Sequence, residues 1–104
     1  MTLKGRQIGI VDDDASVGKA LQRLLRAMGV SSRHFHSGEE FLADADVAQF
    51  DCLILDVTMP DMDGFSLKAH LDRRGIQTPV IFITALEGPE VLMKATANGH
   101  AAFL

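Results

Sequence analysis

The stretch Phe50-Asp51-Cys52-Leu53-Ile54-Leu55-Asp56-Val57-Thr58-Met59-Pro60-Asp61-Met62-Asp63-Gly64 decides how the rest of the chain reads. Its apolar run Cys52–Leu55 is short, rich in strand formers, and followed by loop chemistry at Met59-Pro60 and Asp63-Gly64, so it reads as a buried strand. Runs of that kind belong to parallel sheets covered on both faces. This one ends on a carboxylate, Asp56, at the edge where open α/β sheets bind ligands. A second strand-like run, Ile8-Gly9-Ile10-Val11, also ends in acid, at Asp12-Asp13-Asp14. If the two strands are neighbours, several carboxylates meet in one crevice.

Like charges a few ångströms apart repel by roughly a few kcal/mol near a protein surface, so such a crevice calls for a counter-charge. A hard divalent cation supplies it. Mg2+ takes a few carboxylate or carbonyl oxygens and keeps waters for the rest of its octahedron, which leaves room for a phosphoryl oxygen. The pattern suggests a metal-assisted phosphoryl site.

Outward from these two strands, the chain alternates helix and strand. Asp14 or Ser16 can cap a helix whose apolar positions Val17, Ala20, Leu21, Leu24, Leu25 and Met28 follow helical spacing, with Gly29 as its left-handed stop. Lys19, Arg23 and Arg26 read as its solvated face. Val30–Phe35 is a second strand; His34 and His36 flank Phe35 and, if the segment is extended, read as exposed residues without a third partner for a metal. Ser37-Gly38-Glu39-Glu40 is a capping box opening a short helix that carries Phe41 and Leu42 into the core, with Glu40 reaching back to the cap. Phe65, Leu67, Ala69 and Leu71 mark a third helix ending near Arg73-Arg74-Gly75. Pro79 opens a fourth strand, Val80-Ile81-Phe82-Ile83. Pro89 suits the first position of a helix running to about Asn98, and Ala101–Leu104 reads as a fifth strand.

That order predicts an α/β fold, a doubly wound parallel five-stranded sheet with right-handed crossovers. In the flavodoxin-like strand order 2-1-3-4-5 the first and third strands are adjacent, which brings Asp12 and Asp13 to Asp56. Composition agrees with one modest domain. The 104 residues are 47% hydrophobic, and the single cysteine, Cys52, lies inside an apolar run and reads as a small buried hydrophobe. A net charge of −4 argues against direct nucleic-acid binding by this domain, and no apolar stretch has the length of a membrane span. A soluble cytoplasmic protein is the expectation.

Four separately placed motifs resemble a response-regulator receiver domain: the acids after the first strand; Asp56 with Met59-Pro60-Asp61-Met62-Asp63-Gly64; Thr84-Ala85 after the fourth strand; and Gly99-His100-Ala101-Ala102-Phe103-Leu104. The resemblance covers essentially the whole chain. It implies that Asp56 accepts a phosphoryl group from a sensor histidine kinase, and that Asp13, Asp12 (mainly through water), Asp56 and the backbone carbonyl of Thr58 bind Mg2+. By the same resemblance Thr84 is the switch hydroxyl and Phe103 the switch aromatic; Asp14, the third acid, reads as a candidate helix cap rather than as a metal ligand. A DNA-binding output domain beyond this chain and a phosphorylation-dependent dimer fit the same picture. The family's lysine after the Phe103 position and its last helix have no counterpart before Leu104, so residues 1–104 are expected to form a C-terminally incomplete receiver. A protein ending there is expected to be less stable, to associate, and to be phosphorylated slowly.

Rival readings fit less well. An EF-hand with Gly64 at loop position six would need ligands from Met59 and His70 at positions one and twelve, and neither residue suits Ca2+. An aspartate-nucleophile phosphatase needs a second aspartate two residues after Asp56, where Thr58 stands. A receiver-like interaction module that is never phosphorylated remains the alternative, although it leaves Asp12, Asp13, Asp56 and Thr84 without a purpose.

Overall fold

The computed structural model describes residues 5–44, 46–60, 62–83 and 102–103. The elements run β1 (Gln7–Val11), α1 (Ala15–Ala27), β2 (Ser31–Phe35), α2 (Gly38–Asp44), a 3-10 turn (Val47–Gln49), β3 (Cys52–Asp56), α3 (Gly64–Arg73), β4 (Val80–Ile83) and β5 (Ala102–Phe103). The strands form one parallel sheet in the order β2-β1-β3-β4-β5, as expected. Thr84 and the helix expected from Pro89 to Asn98 lie outside the described residues.

β3 shows why a continuous apolar run makes a central strand. Leu53 and Leu55 point to one face and Ile54 to the other, and all three are buried. On the first face Phe41 of α2 and Leu67 and Leu71 of α3 pack over Val11, Phe35, Leu53, Leu55 and Phe82. Phe35 meets Phe41 edge-on at 5.1 Å between ring centroids, and Phe65 lies 4.7 Å from Phe82. Side chains of this kind contribute about 1.5–3 kcal/mol each when fully buried. On the second face Leu25, with partly buried Leu21, carries α1 onto Ile8, Ile10 and Ile54. Helices on both faces make the sheet doubly wound.

The helix ends refine the sequence reading. Asp14, rather than Ser16, caps α1, its carboxylate accepting from the N–H groups of Ser16 and Val17 at 2.8 and 3.3 Å. Gly29 has φ +79° and Gly75 +74°, so both stops use the left-handed region that favours glycine. At α2 the Ser37 hydroxyl accepts from the Glu40 N–H at 3.0 Å, but Glu40 reaches back to the N–H of His36 instead of to that of the cap. His34 also departs from expectation: it is half-buried rather than exposed, for a reason that lies in the site.

Candidate functional site

Register decides which acids meet. Val11 pairs with Leu55, so the chain leaves β1 at Asp12 alongside Asp56, the last residue of β3. Asp12 is 3% exposed, a rare environment for a carboxylate, and it is tied on several sides. Its N–H donates to the Phe35 carbonyl at 3.0 Å, its Oδ1 accepts from the Asp14 N–H at 2.8 Å, and its carbonyl lies 2.8 Å from Nε2 of His34. Asp13, the next residue, is exposed.

Asp56 is half-buried, and one of its oxygens accepts from the Thr58 N–H at 3.0 Å. The loop behind it is drawn in close. The Gly64 N–H donates to the Val57 carbonyl at 3.3 Å, and a Cβ on Gly64 would come 2.6 Å from the Asp56 carbonyl oxygen. Glycine is therefore required there by close approach. Asp63 caps α3 by accepting from the Ser66 N–H at 2.8 Å, which fixes where the loop ends.

Oxygens of Asp12, Asp13 and Asp56 all lie within 4.8 Å of one another. If all three were charged, each pair would repel by roughly 3 kcal/mol or more at an effective dielectric near 20. None of the ion pairs among the described residues neutralises them. The cost appears at Asp56. Burial raises its pKa, the Thr58 N–H works against that rise, and the Asp12 and Asp13 carboxyls add to it, leaving Asp56 pushed up to about 7. Three hard oxygen donors, partly open to water, fit Mg2+, which needs only a few protein ligands.

Comparison with known proteins places this geometry in a family. The family model of the response regulator receiver domain matches residues 8–104. The chain belongs to the response regulator receiver domains. It is 38% identical over 103 residues to the response regulator protein TodT of Pseudomonas putida, covering 99% of this chain and 45% of TodT. It thus spans about half the length of the curated relatives it matches. A solved response regulator receiver protein from Burkholderia phymatum is 42% identical, with a TM-score of 0.80 over 95% of this chain and 81% of that one. The receiver domain of the histidine kinase CKI1 from Arabidopsis thaliana, solved in complex with Mg2+ and BeF3-, is 27% identical, with a TM-score of 0.84 over 98% of this chain and 81% of that one.

The remaining site residues of this receiver stand as follows. Thr58 contributes its N–H to Asp56. Phe103 is placed by its backbone, opposite Phe82 in the β4–β5 pairing. Thr84 lies outside the described residues. No helix among the described residues is long and apolar enough to cross a membrane. For three residues around the crevice the sequence reading left the local contact unread: Asp63, quoted in the motif but not as the cap of α3; Gly64, quoted there without its close approach to β3; and His34, read as exposed.

Proposed function

We propose that this receiver is a phosphorylation-dependent switch in which Asp56 accepts a phosphoryl group from the phosphohistidine of a sensor kinase. The observation that carries the reading is the meeting of three carboxylates at adjacent strand ends, with Asp56 the partly open member of the set and Asp12 the enclosed one. An Asp56 oxygen attacks phosphorus, the P–N bond breaks, and the imidazole of the kinase leaves with the bonding pair. Such transfer depends on positioning and charge neutralisation more than on the nucleophile's basicity.

This chain's own groups supply the positioning. The Thr58 N–H fixes the rotation of the Asp56 carboxylate, and Gly64 lets the loop lie against β3. Asp56 attacks as the carboxylate, and burial first, then the Asp12 and Asp13 carboxyls, push its pKa up to about 7, so a counter-charge in the crevice would favour the attacking form. Mg2+ held by Asp12, Asp13, Asp56 and the Thr58 carbonyl would neutralise these acids and the phosphoryl oxygens.

In the switch itself, Thr84 would turn its hydroxyl to a phosphoryl oxygen and Phe103 would bury inward, changing the surface at β4 and β5. Both roles rest on the resemblance of their sequence positions. The altered surface would act on a DNA-binding output domain in the longer protein, or through a phosphorylation-dependent dimer, in the cytoplasm. The domain is then a signalling module with at most slow self-catalysed phosphotransfer. A small acyl phosphate with Mg2+, followed by intact-mass measurement, tests the reading. One phosphoryl group per chain supports it; no uptake would leave an interaction module, and rapid multiple turnover of a phosphoester would indicate a phosphatase.

A further inference from the structure

We propose that His34 is a positioning residue for the acidic crevice: its Nε2–H holds the Asp12–Asp13 peptide, and Gly18 exists in α1 to make room for its ring. The proposal rests on the reading of the crevice as a Mg2+ site and adds a residue to it. In a parallel ladder a residue that donates to position 35 receives its next bond from the N–H of position 37. Asp12 donates to Phe35, so regular pairing would give its carbonyl to Ser37. The chain is by then turning into α2, and the imidazole of His34 stands 2.8 Å from that carbonyl. A carbonyl oxygen only accepts, so Nε2 carries the proton.

The ring lies against Gly18 and close to His36. A Cβ on Gly18 would fall onto Cε1, Nδ1 and Nε2 of His34, far inside van der Waals contact. Glycine is a poor residue for a helix interior, and Gly18 is buried in the first turns of α1, where the imidazole takes the place a side chain would fill. His36 lies 4.4 Å away, centroid to centroid, and its Nδ1 is 3.7 Å from a carboxylate oxygen of Glu40. Both peptide groups flanking Asp12 are thus tied to β2, one through the Phe35 carbonyl and one through His34. The second peptide leads directly into Asp13. Since Asp13 is exposed, the direction of its carboxylate depends on how that peptide is set.

The test is calorimetric titration with Mg2+ alone of the wild type, His34→Ala, His34→Gln and Gly18→Ala, with melting curves in the absence of metal. His34→Ala should weaken Mg2+ binding roughly tenfold, the lower end of what loss of an outer-shell partner costs. Gly18→Ala should weaken it in the same direction by displacing the ring, although it removes no hydrogen-bonding group. His34→Gln keeps an N–H donor near the Nε2 position and should recover most of the affinity. A purely structural role would lower the melting temperature and leave the affinity of the folded fraction unchanged. Unaltered affinity in His34→Ala overturns the proposal, as does equal weakening in His34→Ala and His34→Gln. Should His34→Ala fail to fold, Gly18→Ala and His34→Gln still decide. A wild type that binds no Mg2+ removes the crevice reading itself, and the proposal with it.

Discussion

The ends of β1 and β3 carry the same residue type on neighbouring strands and treat it in opposite ways. At the end of β1, Asp12 is enclosed, and its N–H, its carbonyl and one carboxylate oxygen are all bonded. At the end of β3, Asp56 is half-exposed, with one oxygen bonded to the Thr58 N–H and a pKa pushed up to about 7. The first carboxylate is fixed by its surroundings, and the second keeps access to solvent. The chain that follows differs as well: after Asp12 the turn into α1 returns the Asp14 N–H to the Asp12 carboxylate, whereas after Asp56 the close return is at Gly64, against the Asp56 carbonyl. A crevice with one fixed acid and one accessible acid suits a site where a cation stays and a group arrives.

The sharpest way to break this contrast is to change the two acids separately. Asp56→Asn should abolish uptake from a small acyl phosphate, because it alone combines solvent access with the strand-end position. Asp12→Asn should slow uptake and leave the label on Asp56. Intact mass and peptide mapping would distinguish these outcomes. A label on Asp12, Asp61 or a histidine would reverse the roles assigned here.

The loop behind Asp56 gives the next largest effect. In Gly64→Ala the new Cβ would meet the Asp56 carbonyl oxygen at 2.6 Å, and backbone cannot yield as a flexible side chain can. Overpacking of this sort costs about 1–3 kcal/mol. Chemical denaturation should find a loss in that range. Wild-type stability would mean that α3 can move off β3 freely, and that the closeness at this strand end is incidental.

Much of this contrast was legible in the sequence because sheet periodicity is rigid. Cys52–Leu55 and Ile8–Val11 read as strands of a covered parallel sheet, and in such a sheet the acids that follow them emerge at one edge. The choice between Asp14 and Ser16 as cap was not legible, because both residue types cap well. Asp14 takes the role once the Asp12 carboxylate fixes its N–H. His34 was misread for a related reason. Alternation placed it correctly opposite Phe35, but its partner is a backbone carbonyl from another strand, and the room for its ring comes from Gly18 on a helix. Contacts between a side chain and a distant backbone leave no periodic trace. Glu40 shows the same limit locally, since its spacing from Ser37 was right while its oxygen went to His36.

Mg2+ affinity should sharpen the comparison further. Asp13→Asn removes a charge from the proposed set of ligands and should weaken binding roughly tenfold, or about 1.4 kcal/mol. Asp56→Asn should weaken it as well. Calorimetric titration of the three proteins checks this, and equal affinities would remove the metal assignment.

The smallest predicted effect is a dependence of stability on pH that comes from Asp56. Its carboxyl is raised from 3.8 to about 7, first by burial and then by the neighbouring acids. Folded protein therefore holds a proton that unfolded protein has already lost between those two values. Stability from this group is fully present below about pH 4 and is lost as pH rises towards about 7, the reverse of the usual paired carboxylate. Because Asp56 is only half-buried, solvent screening reduces the contribution to about 1 kcal/mol. Other carboxylates also titrate, so the informative quantity is the difference between wild type and Asp56→Asn. Without metal, the variant should gain on the wild type by about 1 kcal/mol between about pH 4 and about pH 8. Saturating Mg2+ should stabilise the wild type increasingly over the same range, because binding requires the deprotonated acid. Chemical denaturation at both ends of the range, with and without Mg2+, measures both slopes. Parallel pH profiles for the two proteins would show that neither burial nor the neighbouring acids raise the Asp56 carboxyl.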